Sequence, residues 1–125
     1  NPKQVADLKE LGVYTDIVVA DCTRPVDVME AALAANGGKE YDISICCVNI
    51  ESCEMSAILP VRDDGLVYFF SMATSFTKAA LGAEGIGKDV TMIVGNGYTK
   101  DHAEITLGVI RENAKLRKLF EEKYV

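Results

Sequence analysis

The chain has 125 residues, of which 49% are hydrophobic and 26% charged, and its net charge is -6. That is the size and make-up of one globular domain. The acidic balance excludes the basic face that a nucleic-acid partner requires, and no run approaches the roughly 20 apolar residues of a membrane span.

Pro2 to Leu11 reads as a helix with Val5, Leu8 and Leu11 on one face, stopped by Gly12. Asp16-Ile17-Val18-Val19-Ala20-Asp21 reads as a buried, β-branched strand bounded by carboxylates. Thr23 is placed to cap the next helix, with Pro25 in its first turn. Val28, Met29, Ala32 and Leu33 form that helix's apolar stripe, and Asn36-Gly37-Gly38 ends it. Tyr41 to Val48 reads as a second strand. Its core from Ile43 is apolar on both sides, so cover on both faces is expected.

Ser52 to Leu59 suggests a short helix broken by Pro60. Asp63-Asp64-Gly65 is a turn signal, and Leu66 to Met72 a third buried strand. Thr74 or Ser75 caps a helix to about Leu81, after which Gly82, Gly85 and Gly87 suggest a loop. Val90 to Val94 is a fourth strand, closed by Gly95-Asn96-Gly97. The remainder, Lys100 to about Tyr124, reads as one long amphipathic helix, with Lys115, Arg117 and Lys118 toward its C-terminus. Strand and helix alternate four times. The expected fold is therefore α/β: one domain with a Rossmann-like parallel sheet of about four strands and helices on both faces.

Cys46 and Cys47 are adjacent, so on a strand they point to opposite faces. There is no Cys-x-x-Cys pair and the sole histidine, His102, is remote, so the four cysteines are expected reduced and no metal site is expected. Asn1-Pro2-Lys3-Gln4 lacks the apolar core of a signal peptide, and a cytoplasmic protein is expected.

In an open parallel sheet, ligands bind outside the carboxyl ends of the strands. The loops there are Asp21-Cys22-Thr23, Asn49-Ile50-Glu51, Met72-Ala73-Thr74 and Asn96-Gly97-Tyr98. Each has a plain structural role beside a functional one: Asp21 and Thr23 as helix caps, Asn49 as a turn former, Ser71 as a partner for backbone groups. A Gly-x-Gly-x-x-Gly phosphate loop is absent. Gly95-x-Gly97 follows a strand and precedes a helix, but without a third glycine it reads more simply as a turn. A nucleophile triad is unsupported, with one histidine and no Gly-x-Ser-x-Gly elbow. Glu51 and Glu54 are placed either to receive a cationic group or to favour a helix start through its dipole.

Asn1-Pro2-Lys3 through Leu11-Gly12, followed by a strand ending at Asp21, resembles the helix after the second strand of medium-chain, alcohol-dehydrogenase-like Rossmann domains. The stretch Val67 to Phe76, the segment Ala80 to Val90, Gly95-Asn96-Gly97-Tyr98-Thr99 and His102-Ala103-Glu104-Ile105 together resemble the L-erythro-3,5-diaminohexanoate dehydrogenases of lysine fermentation. The resemblance covers essentially the whole chain. It implies NAD as cofactor, and an oxidative deamination giving 5-amino-3-oxohexanoate and ammonia. A small diamino acid would be the substrate, with neither nucleic acid nor membrane as partner.

The family's domain opens with a strand, the glycine-rich loop, a helix and a strand ending in the ribose-binding acid, none of which this sequence contains. Its strand order, 3-2-1-4-5-6, would put two further strands between the first and second strands read here. The chain is therefore expected to be part of a longer enzyme, and to pair its first two strands directly, form a homo-oligomer, or associate with the missing part of the domain. By matched strand ends, Asp21 and Cys22 would lie near the adenine. Cys47, Val48 and Asn49 would line the ribose and nicotinamide, and Ser71, Met72 and Ala73 would reach the nicotinamide amide. Glu51, Glu54 and His102 are the candidate catalytic acid-bases. The alternative is a non-catalytic, Rossmann-derived binding or oligomerisation module. A flavodoxin-like or receiver-like domain would need an early acidic cluster or a flavin phosphate loop, and neither is visible.

Overall fold

The structure, a computed structural model, describes residues 2–95 and 97–125. Asn1, in the first motif, and Asn96, in the Gly95-Asn96-Gly97 loop, lie outside the described residues. Two compact units form, one from Val18–Asn96 and one from Asn1–Ile17 with Gly97–Val125. Among the described residues no helix is long and apolar enough to cross a membrane.

The first unit carries a parallel sheet of three strands in the order β1-β2-β3: β1 (Tyr41–Cys46), β2 (Val61–Phe69) and β3 (Val90–Val94). Its helices are α2 (Pro25–Ala35), α3 (Glu54–Ile58) and α4 (Phe76–Gly85), the label α1 belonging to Pro2–Leu11 of the other unit. Cys46 pairs with Phe69 and Phe69 with Val94, so the three strands end level with one another. Successive β-α-β crossovers are right-handed, and two of them stepping the same way across a sheet leave α3 and α4 on the same face.

That face is the core. Val61, Val67 and Phe69 of β2 pack with Cys46, with Ala57 and Ile58 of α3, and with Ala79 and Ala83 of α4. Ile58, Val61 and Val67 are completely buried, each stabilising the fold by about 1.5–3 kcal/mol relative to exposure. The other face alternates out of the core, and Ile43 and Ile45 stand 56% and 65% exposed. Cover on both faces of the Tyr41–Val48 strand is thus not what the structure shows. An apolar run gives no way to tell a doubly covered strand from one with a bare face.

The parallel α/β class stands, with three strands rather than four among the described residues. Asp16 to Asp21 is not a strand: it makes no ladder, and Val18 and Val19 are 46% and 72% exposed. β-branched residues favour extended backbone, but a strand exists only where a neighbour takes its hydrogen bonds. Direct pairing of this segment with β1 is accordingly not formed.

Asp63-Asp64-Gly65 is not a turn between elements but a bulge inside β2. The pairing jumps from Tyr41↔Val61 to Ile43↔Leu66, so Arg62 through Gly65 face the single residue Asp42. Asp64 takes a φ of 59°, and its amide donates to Asp89 O at 2.7 Å. Gly65 fits because a Cβ there would lie 2.8 Å from Arg62 O and 3.0 Å from Asp42 O.

Ser75 caps α4 as expected, accepting from Lys78 N at 3.3 Å. The helix runs on through Gly82 and Gly85, which the sequence suggested as loop. Gly82 is where α4 meets α3: a Cβ would come 2.3 Å from Met55 Sδ. Thr23 does not cap α2. Its amide and hydroxyl both donate to Asp21 Oδ1, at 2.9 and 2.7 Å, forming a local turn ahead of Pro25.

In the second unit, the single helix expected from Lys100 to Tyr124 is two, α5 (His102–Glu112) and α6 (Ala114–Tyr124). Asn113 adopts extended backbone between them and its side chain accepts from Leu116 N at 2.9 Å, capping α6. The apolar 3-4 spacing continues across the break, so periodicity hides it, while a short amide side chain competes for the backbone and opens it. Lys115 Nζ donates to Glu10 O at 2.7 Å, tying α6 to α1.

Candidate functional site

Level strand ends put the loops after β1 and β2 side by side at the carboxyl edge of the sheet. Two hollows open there. One, of about 330 Å³, is lined by the ends of β2 and β3 and by Ser71, Met72, Thr74 and Phe76. The other, shallower and about 500 Å³, is lined by Cys47, Asn49, Phe70, Ser71 and Met72. Four of the residues singled out from the sequence, Cys47, Asn49, Ser71 and Met72, therefore share one surface. Ser71 bridges the two loops: its hydroxyl donates to Asn49 Oδ1 at 3.4 Å and accepts from Ala73 N at 3.1 Å. Ala73 joins the group through that amide. Both the plain and the functional reading of Asn49 and Ser71 are compatible with this geometry, because a loop held by side-chain bonds is also one held in place for a ligand.

Val48 goes elsewhere. With Cys22, Cys46 and Cys53 it lines a separate cavity of about 160 Å³ beside α3. Cys22 is half-buried there, its carbonyl accepting from Ser56 Oγ at 2.6 Å and its sulfur against that of Cys53. All four cysteines are free. Burial, with the Cys22 thiol next, pushes Cys53 up to about 12, and burial also raises Cys46, so both stay protonated and pack as small apolar groups. Asp21 is fully exposed. The Thr23 hydroxyl and then the Thr23 amide hold its carboxyl below the usual carboxylate range.

The three candidate acid-bases separate. Glu51 is exposed on the loop after β1. Glu54 is 4% exposed and accepts from Ser75 N at 2.7 Å. His102 belongs to the other unit, where it opens α5, stacks on Tyr98 at 4.6 Å and places Nδ1 2.8 Å from Thr99 O. Residues the sequence reading passed over also shape the edge. Phe70 is 47% exposed and lies near-parallel to Tyr68, whose hydroxyl donates to Gly95 O at 2.9 Å. Two adjacent aromatics on a strand cannot both face the core, so the Phe69-Phe70 pair was the available signal.

No family model matches the chain. The L-erythro-3,5-diaminohexanoate dehydrogenase of Acetoanaerobium sticklandii is 62% identical over 125 residues, 100% of this chain and 36% of that protein. The L-erythro-3,5-diaminohexanoate dehydrogenase of Fusobacterium nucleatum subsp. nucleatum is 58% identical with the same coverage. The chain thus spans 36% of the length of the curated relatives it matches. Aligned without remainder to both, the chain is similar along its whole length to one part of these L-erythro-3,5-diaminohexanoate dehydrogenases.

Proposed function

We propose that this chain supplies the nicotinamide-facing part of the cofactor domain in an NAD-dependent dehydrogenase. The reaction would be oxidative deamination of L-erythro-3,5-diaminohexanoate to 5-amino-3-oxohexanoate and ammonia, in the cytoplasm. The observation that carries the proposal is identity of 62% and 58% along the entire chain to proteins of that name. The carboxyl edge of the sheet supports it, since open parallel sheets take nucleotides there.

The residues at that edge suit a nicotinamide better than a phosphate. Met72, Phe70 and Phe76 offer apolar surface, and Ser71 and Asn49 offer polar groups at fixed positions. Nothing in these 125 residues offers the glycine-rich turn that cradles a pyrophosphate. When bound, NAD would supply the hydride acceptor. Cys47 and Asn49 would flank the ribose and nicotinamide, and Ser71, Met72 and Ala73 would orient the carboxamide. Val48, turned into the neighbouring cavity, would support the first group from behind. Asp21 and Cys22 would sit toward the adenine. Glu51, exposed on the loop after β1, is the candidate on this edge to take a proton from the substrate ammonium, and His102 is the candidate carried by the other unit.

The open side of β1 and the exposed Ile43 and Ile45 favour association with further protein, either the rest of a longer enzyme or another copy. The decisive assay supplies the full-length protein with the diamino acid and NAD and follows NADH absorbance. Formation of NADH with release of ammonia is expected. A folded, full-length protein that neither binds NAD nor reduces it would leave the non-catalytic module as the correct reading.

A further inference from the structure

Glu54 is the one candidate acid-base that the structure buries, and its carboxylate is already engaged. It sits in the first turn of α3, 4% exposed, and its Oε1 accepts from the backbone amide of Ser75 at 2.7 Å. Ser75 is the residue that caps α4, and it closes the loop carrying Ser71, Met72 and Ala73. Two further bonds join the same two connections, the one after β1 and the one after β2. Lys78 Nζ donates to Ser52 Oγ at 2.8 Å, and Ser71 Oγ donates to Asn49 Oδ1 at 3.4 Å. The Lys78 bond is also charge-assisted but lies exposed, whereas Glu54 is buried, so the Glu54 bond should be the strongest of the three.

We infer that Glu54 is a positioning residue: it locks the loop after β2 to the helix after β1 and so holds the nicotinamide-facing wall in place. The inference rests on the dehydrogenase reading for its kinetic consequence, but the lock itself is independent of it. A proton acceptor must be able to gain a proton and must face the substrate. Glu54 faces a backbone N–H, and an N–H needs only an acceptor oxygen. Glutamine keeps that oxygen and cannot serve as a base, so Glu54→Gln and Glu54→Ala separate the two roles.

The test uses the full-length protein. In Glu54→Ala the KM for NAD should rise about ten- to a hundredfold, the weight of one hydrogen bond to a charged group. The pH profile of kcat should keep its shape. Glu54→Gln should restore most of the loss. Hydrogen–deuterium exchange of the amides in residues 70–75 should quicken about tenfold or more in Glu54→Ala and stay near the parent rate in Glu54→Gln. The inference is overturned if Glu54→Gln loses kcat as fully as Glu54→Ala together with a limb of the pH profile. It is equally overturned if exchange in residues 70–75 is unchanged in Glu54→Ala. Should the parent protein not reduce NAD at all, the functional reading falls, and the exchange data still decide whether Glu54 is the lock.

Discussion

Replacing Gly65 with alanine should destabilise the sheet by about 3 kcal/mol, the upper end of what overpacking costs. An added Cβ would sit 2.4 Å from Val61 Cγ1, 2.8 Å from Arg62 O and 3.0 Å from Asp42 O. Carbon atoms touch comfortably at roughly 3.5–4.0 Å, so the overlap with Val61 is about 1 Å or more. Val61 is completely buried, so turning it away would press on the core around it. The two carbonyl oxygens belong to β2 and β1 themselves, so relief requires moving strands that hold the core. With a urea dependence of about 1–3 kcal/mol per molar, the unfolding midpoint should fall by about 1 M or more. Far-UV circular dichroism follows the transition, and Gly85→Ala serves as the control, since nothing lies within 4 Å of its Cβ position. An unchanged midpoint in Gly65→Ala would refute the close approach of β1 to the bulge.

Cys53 should resist alkylation at neutral pH while exposed Cys47 reacts, read by mass spectrometry of tryptic peptides. Because its thiol is raised from 9.0 to about 12 in the folded chain, the unfolded chain releases that proton first. Stability should therefore fall as pH rises from about 9 toward 12, and Cys53→Ala should flatten that slope in urea titrations. Asn113→Ala removes the cap of α6 and should cost about 1 kcal/mol, while Asn113→Asp should retain most of it, by thermal unfolding. Calorimetric titration of the 125-residue chain with NAD should show weak binding or none, and micromolar affinity would place the phosphate grip within these residues after all.

The core strands were legible because Val67 to Phe69 and Val90 to Val94 combine β-branched or aromatic residues with sharp ends. The carboxyl-edge loops followed from them, which is why Asn49 and Met72 could be placed at that edge before any geometry was known, while Cys47 and Ser71 were added by the resemblance. What the sequence concealed depends on neighbours. Val18-Val19 has the composition of a strand and lacks the partner. Gly82 looks like a loop former and is a contact point between two helices. Asn113 interrupts a helix whose apolar spacing never falters. Glu54 has the look of a catalytic carboxylate, and only its distance to Ser75 N shows where its charge is directed. The roles proposed for residues near a cofactor came from family resemblance rather than from spacing.

The bulge in β2 acts as slack in the thread. Four residues, Arg62 through Gly65, span the distance that one residue covers on β1, and the frame is regained at Ile43↔Leu66. The mismatch is confined to those four residues, so Leu66 through Phe69 run in step with both neighbours. The irregularity at the amino end of the sheet thus never reaches the carboxyl rim, where Cys46, Phe69 and Val94 lie abreast.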